Sequence, residues 1–218
     1  MDRVIKIEVM FFDLDGTLVD SLDDIGASVN HTLTTLGYSA LPKEKLRRFV
    51  GDGMQTLLAR ALSEFEKPDN DQLMTAVSIY RTHHDEHCLD FVRTYDGVLD
   101  VLTHFNHCRK FVISNKAEVF TRKIIHGLGL SRYFEGVYGG GDSFANKKPH
   151  PQAIQAMLEK TGVHPDRAMI IGDGPQDIEA GRRAGVYTCA VRYGFHAVAP
   201  EGANFYIDRM IQLKEFVA

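Results

Sequence analysis

The sequence predicts an α/β fold in which a doubly wound parallel-sheet core carries an inserted all-helical cap. Three observations predict it. An apolar, β-prone run from Val4 to Phe12 opens the chain. From about Ser21 to Arg93 the apolar residues recur at helical spacing, with almost no strand signal. From Tyr95 onward strand, loop and helix alternate, which implies parallel strands joined by right-handed crossovers, a Rossmann-like core with helices on both faces.

The elements follow in order. The Val4–Phe12 run reads as the first strand and ends at Asp13-Leu14-Asp15-Gly16-Thr17-Leu18. In the helical block Leu22, Ile25, Val29 and Leu33 share one face, followed by Leu57, Leu58, Ala61 and Leu62, then Leu73, Val77 and Tyr80. Gly37, Pro42, Gly51-Asp52-Gly53 and Pro68 punctuate the block into short helices. Phe111–Ser114 is a strand with an amphipathic stretch after it from Glu118 to Leu128. Val137-Tyr138 runs into Gly139-Gly140-Gly141 and a helix from about Gln152 to Lys160. Ala168–Ile171 ends in Gly172-Asp173 and precedes a helix through Ala184; Tyr187–Val191 and Phe205–Ile207 are the final strands. Residues 1–19 and 94–218 therefore form the core, and residues 20–93 form the cap.

Composition narrows the function classes. The 218 residues suffice for one larger domain or two modest ones. A net charge of −4 offers no basic field for nucleic acid. Cys88, Cys108 and Cys189 are isolated and never in CxxC spacing, which argues against zinc and disulfides and for a reducing compartment. No apolar run approaches the roughly 20 residues of a membrane span. The N-terminus is charged at Asp2, Arg3, Lys6 and Glu8 and lacks a signal-peptide core. The expectation is a cytoplasmic enzyme, monomer or homodimer, that binds neither nucleic acid nor membrane.

The chemistry collects at strand exits, where doubly wound sheets bind ligands. Asp13 and Asp15 stand two apart at the tip of the first strand and so project to one side. Two like charges that close are costly without a cation, a substrate or a shared proton. The alternative is a plain turn with surface acids. Ser114 and Asn115 end the next strand, where they would either donate to a ligand or cap the following helix. Lys148, beside Pro149, is either a site cation or a solvated loop lysine, and Gly172-Asp173-Gly174 is either a ligand loop or a tight turn. Their joint placement at consecutive strand exits favours a site.

Four motifs occur in order: Asp13-Leu14-Asp15-Gly16-Thr17-Leu18, Ile113-Ser114-Asn115-Lys116, Lys148-Pro149-His150-Pro151, and Ile171-Gly172-Asp173 with Asp177 downstream. With them the chain resembles the haloacid dehalogenase superfamily of phosphohydrolases over essentially its full length. An insertion between the first and second motifs is where that superfamily carries a helical cap. Finer stretches resemble bacterial phosphoglycolate phosphatases: Phe49-Val50-Gly51-Asp52-Gly53, Ala59-Arg60-Ala61-Leu62, Gly140-Gly141-Asp142-Ser143-Phe144 and Val191-Arg192-Tyr193-Gly194. Two positions depart from that pattern: Gly174-Pro175 replaces serine and a polar residue, and Asp96 replaces a proline.

The resemblance implies, and the residue chemistry supports, a phosphomonoesterase acting on a small phosphate ester, 2-phosphoglycolate above others. Asp13 would attack phosphorus to give an aspartyl phosphate. Asp15 would protonate the leaving alkoxide and later take a proton from water. Lys148, Ser114 and Asn115 would meet charge developing on the phosphoryl group, with Thr17 and Gly51 also at the substrate. Asp13, the Asp15 main-chain carbonyl and Asp173 offer oxygens suited to Mg2+, with Asp177 behind them. The same core also serves pyrophosphatases, sugar-phosphate phosphatases and phosphomutases. Dehalogenation fits poorly because halide leaves without the proton Asp15 would give. Schiff-base phosphonate cleavage needs a cap lysine, absent from Gly51–Leu58. A non-catalytic binding module would not need Asp13, Asp15 and Lys148 together. Three further features read as ordinary surface: His83, His84 and His87 as a solvated helix face, and Arg47-Arg48 and Arg60 as exposed helix charge.

Overall fold

The computed structural model describes residues 4–196 and 198–218. Asp2 and Arg3, part of the charged N-terminus, lie outside them. Strand β1 (Val9–Phe12) is fully buried, with Met10 and Phe12 packed into one apolar layer and Val9 and Phe11 into the other. It is shorter than the Val4–Phe12 run. The segment before it pairs with the chain's last residues: the Ile5 N–H donates to the Phe216 carbonyl at 2.8 Å, and the Ala218 N–H to the Ile5 carbonyl at 2.9 Å. Ile5 and Ile7 still bury in the core, so the apolar run is borne out in burial at these positions but extends beyond the strand that joins the sheet.

After β1 comes β2 (Val19–Asp20), then helices α1 (Leu22–Thr35), α2 (Lys43–Arg47), α3 (Met54–Leu62) and α4 (Asn70–His87), before the chain returns through β3 (Arg93–Thr94), antiparallel to β2. The helices enclose their own apolar cluster, which contains Leu22, Ile25, Val29, Leu33, Leu58 and Tyr80. The buried Asp24 carboxylate accepts the Phe91 and Val92 N–H groups, each at 2.9 Å, and so ties α1 to the returning strand.

The core continues with α5 (Val98–His104), β4 (Arg109–Ile113), α6 (Glu118–Gly127), β5 (Gly136–Tyr138), α7 (Gln152–Thr161), β6 (Ala168–Gly172), α8 (Pro175–Ala184), β7 (Tyr187–Val191) and β8 (Phe205–Ile207). Helix α5 has no counterpart in the sequence reading; at 7 residues it is too brief to show a period. The sheet is parallel throughout, in the order β5-β4-β1-β6-β7-β8. Strand order changes direction at β1, so its tip and those of β4 and β6 face the crevice where such sheets bind ligands. Cys88, Cys108 and Cys189 are free and buried, and no helix among the described residues is long and apolar enough to cross a membrane.

Of the three α4 histidines, His84 does not lie on a solvated face, while His83 and His87 are partly exposed. His84 is completely buried between Tyr80, stacked at 4.9 Å between ring centroids, and the edge of Phe120, also at 4.9 Å. Its Nδ1 meets Ser28 Oγ at 3.0 Å. His83 stacks on His31 at 4.2 Å and lies 4.4 Å from His87. The reason is that α4 runs between α1 and the core, so more of its circumference is covered than an amphipathic surface helix would show. Burial, aided by the Lys116 and His83 charges, pushes the His84 imidazole down to about 2 from its ordinary value of 6.5.

A depressed histidine is neutral in the fold and charges first in the unfolded chain. Its contribution to stability is therefore complete above pH 6.5 and is lost as pH falls from 6.5 toward its folded value, by about 1.4 kcal/mol at pH 5.5. Urea denaturation at pH 7.5 and 5.5 should show that much less pH dependence in His84→Phe than in the parent. Equal dependence in both would place the pH sensitivity elsewhere.

Candidate active site

Asp13 leaves β1 with its N–H donating to the Ile171 carbonyl of β6 at 3.0 Å, so the sheet holds the residue's backbone. Gly16 then turns the chain at φ +83, and no larger residue fits: a Cβ there would lie 2.4 Å from Asp173 Oδ2. Three buried carboxylates, Asp13, Asp173 and Asp177, place ligand oxygens within 4.8 Å of one another. The ammonium of Lys148, with a side chain only 2% exposed, sits between two of them, 2.7 Å from Asp13 Oδ1 and 2.5 Å from Asp177 Oδ1.

This cluster is under-neutralised. Burial, partly offset by Lys148 and reinforced by the Asp177 and Asp15 charges, raises the Asp13 carboxyl to about 6. Burial and the charges of Asp13 and Asp177 hold Asp173 well above its ordinary range. Burial would lower Lys148, but Asp13 and Asp177 more than compensate and keep it firmly protonated. One lysine for three buried acids leaves surplus negative charge at the strand tips, and a hard cation is what that donor set accommodates.

The helix after β6 explains the position of Asp177. Gly174 is the N-cap of α8 and Pro175 its first residue, a position where the missing N–H costs nothing. Asp177 Oδ2 accepts the Gly174 N–H at 3.0 Å while Oδ1 holds Lys148. Asp173 Oδ2 accepts the Phe195 N–H at 2.7 Å, and Phe195 packs into the apolar cluster of the helical insertion. The insertion and the acid at the β6 tip are thereby mechanically joined.

The second strand exit divides its labour. Ser114 Oγ accepts the Lys116 N–H at 3.3 Å, which leaves the hydroxyl proton to donate. Neither Ser114 nor Asn115 caps α6, whose N-cap is Ala117. Asn115 was expected to donate to phosphate, yet both amide protons are spent: Nδ2 donates to the Lys148 carbonyl at 2.9 Å and to the Gly51 carbonyl at 3.0 Å, while Oδ1 accepts the Lys148 N–H at 3.0 Å. It fixes the lysine loop and clamps the insertion. Thr17 also departs from the expectation of substrate contact. It is fully buried behind the site, with its hydroxyl toward Asp173 Oδ1 at 3.5 Å and its carbonyl accepting from the Tyr193 hydroxyl.

A cavity of about 50 Å³ opens over the acids. Asp13, Asp15, Ser114, Asn115 and Asp173 form its floor, and Gly51, Gly53, Met54, Leu57 and Tyr80 come down from the insertion. Lys148 and Thr17 lie beneath that surface. Gly53 is confined by the core, where a Cβ would meet the Asn115 carbonyl at 2.9 Å. Asp52, between the two glycines, points away and pairs with Arg60 at 2.6 Å. Arg47 reaches across to the Gly194 carbonyl at 3.1 Å, and Arg48 is exposed.

A family profile described as haloacid dehalogenase-like hydrolase matches residues 10–191. The chain belongs to the haloacid dehalogenase-like hydrolases. Phosphoglycolate phosphatase of Aquifex aeolicus (strain VF5) is 33% identical over 205 residues, 93% of each chain. That of Colwellia psychrerythraea is 35% identical over 196 residues, 87% of this chain and 86% of the relative. A Haemophilus somnus crystal structure described as a predicted phosphoglycolate phosphatase superposes with a TM-score of 0.90 at 25% identity, covering 96% of this chain and 97% of that one. These relatives place the hydrolase among the family's phosphoric monoester hydrolases.

Sequence reasoning about this hydrolase missed Gln176, Lys116 as a cavity residue, and His196. Lys116 was legible, because it directly follows Ser114-Asn115. Gln176 and His196 had no local signal, since their place in the cavity depends on how the first turn of α8 and the segment after β7 meet Gly51, where a Cβ would lie 3.0 Å and 3.6 Å from their respective Nε2 atoms. For Asp177→Asn, which halves the charge pairing on a buried lysine, urea denaturation should show a loss of about 1–3 kcal/mol. Unchanged stability would mean that Asp13 alone holds Lys148.

Proposed function

We propose that the hydrolase is a Mg2+-dependent phosphomonoesterase that works through an aspartyl phosphate on Asp13, with 2-phosphoglycolate as its substrate. The observation that carries the reading is the buried Asp13–Lys148–Asp177 array beside Asp173, at the point where strand order reverses.

Asp13 attacks phosphorus and the ester P–O bond breaks. Lys148, fixed at 2.7 Å from that carboxylate, balances negative charge as it shifts onto the phosphoryl oxygens. Asp15 gives its proton to the departing alkoxide. It then takes a proton from the water that attacks the acyl phosphate, which releases phosphate and restores Asp13. The Ser114 hydroxyl adds a neutral donor. Asp13, the Asp15 main-chain carbonyl and Asp173 would hold Mg2+, with Asp177 supporting Lys148 from behind; the ion supplies positive charge to the phosphoryl oxygens when bound.

The substrate assignment is supported by the relatives named phosphoglycolate phosphatase and by the small cavity beneath the insertion, which favours a short ester over a sugar phosphate. Residues 20–93 serve in this reading as the specificity cap on a core of 1–19 and 94–218. The net charge of −4 and the three free cysteines support a cytoplasmic enzyme, acting as monomer or homodimer, with no nucleic-acid or membrane partner.

Phosphate release from 2-phosphoglycolate should require Mg2+ and vanish in EDTA. Asp13→Asn should lower turnover by roughly 10⁴-fold or more, with the melting transition retained. Asp15→Asn should cost about 10²–10⁴-fold, the range for a lost general acid. Near-parental turnover by purified Asp13→Asn would refute the nucleophile assignment. Faster release from sugar phosphates or pyrophosphate would refute the substrate.

A further inference from the structure

Lys116 occupies the wall of the cavity with a side chain only 8% exposed. Its ammonium lies 3.4 and 3.3 Å from the two oxygens of Asp15, longer than the roughly 2.7–2.9 Å of a committed charge-assisted hydrogen bond. Asp15 is held more firmly from the other side, by the Ser21 hydroxyl at 2.5 Å. Asp24, also buried on this side of the insertion, has its oxygens taken by the Phe91 and Val92 N–H groups. The other cavity carboxylates belong to the floor, Asp13 with Lys148 and Asp173 with the Phe195 N–H.

This geometry leaves Lys116 loosely paired. Its contacts to Asp15 are long, so the ammonium keeps donor capacity toward the cavity that it lines. Tyr80, 3% exposed, lines the same wall, and its hydroxyl has no hydrogen-bond partner among the described residues. Met54, Leu57 and Phe120 make the remainder of that wall apolar.

We propose that Lys116, seconded by the Tyr80 hydroxyl, is the specificity subsite that receives a carboxylate on the leaving-group side of the ester. The inference rests on the phosphomonoesterase reading and assigns its substrate selection to named residues. A cavity of about 50 Å³ limits the ester to a short carbon unit between its oxygen and that carboxylate. Lys116 thus lies between Asp15, which it contacts at 3.3 and 3.4 Å, and the cavity, where it would meet the substrate carboxylate.

The test compares 2-phosphoglycolate with its amide, 2-phosphoglycolamide, which has the same size and a neutral tail. The parent should favour the carboxylate by about 30-fold or more in kcat/KM, as expected for a buried charge pair. Lys116→Met should bring the two esters within roughly threefold of each other, mainly by raising KM for the carboxylate, and Lys116→Arg should keep much of the preference. Tyr80→Phe should reduce it by a smaller factor in the same direction. Because the readout is a ratio, an incompletely folded variant does not disturb it. No preference in the parent, or an equal fall on both esters in Lys116→Met, overturns the subsite and leaves the phosphatase reading standing. No phosphate release from either ester by the parent with Mg2+ overturns both.

Discussion

Lys148 lies between Asp13 and Asp177 at the end of a fully buried strand, and the rest of the site is organised around that placement. Three carboxylates converging where water is excluded would not stay ionised together without positive charge. One lysine satisfies part of that demand and leaves a deficit suited to a hard cation. Burial keeps Asp13 elevated despite Lys148, with the Asp177 and Asp15 charges adding to it. Each supporting contact is directed to this end. The Gly174 N–H orients Asp177, the Phe195 N–H orients Asp173, and Asn115 grips the Lys148 backbone through both its amide and its carbonyl.

The helical insertion is coupled to those charges by direct contact. Phe195, whose N–H reaches Asp173, buries its ring among the insertion's apolar side chains. Asn115 ties the Gly51 carbonyl to the lysine loop, and Arg47 meets the Gly194 carbonyl one residue before Phe195. Displacing the insertion would break or strain contacts to both Asp173 and Lys148. The insertion and the acidic site therefore share a mechanical connection. Lys116 adds an electrostatic one, since it lines the cavity wall and contacts both oxygens of Asp15.

Much of this was readable in one dimension because its causes are local. Short apolar runs gave the strands, a period near 3.6 gave the helices, and acids or amides at strand ends marked the exits. The errors also have local explanations. Val4–Phe12 alternates like a strand, but only its last part has strand neighbours on both sides. His84 has the residue type of a surface helix and the environment of a core, because α4 is covered from two directions. Thr17 and Asn115 stand beside cavity residues in sequence while their side chains serve the scaffold.

The sequence by itself determined the order of elements, the four motifs at strand exits, and therefore the reaction class, because each depends on residues a few positions apart. Tertiary structure decided which polar groups remain free for a ligand. Hydrogen-bond capacity is finite, and only the fold reveals that Asn115 has spent its donors, that Lys148 lies beneath the cavity floor, and that Lys116 is left loosely paired at its wall.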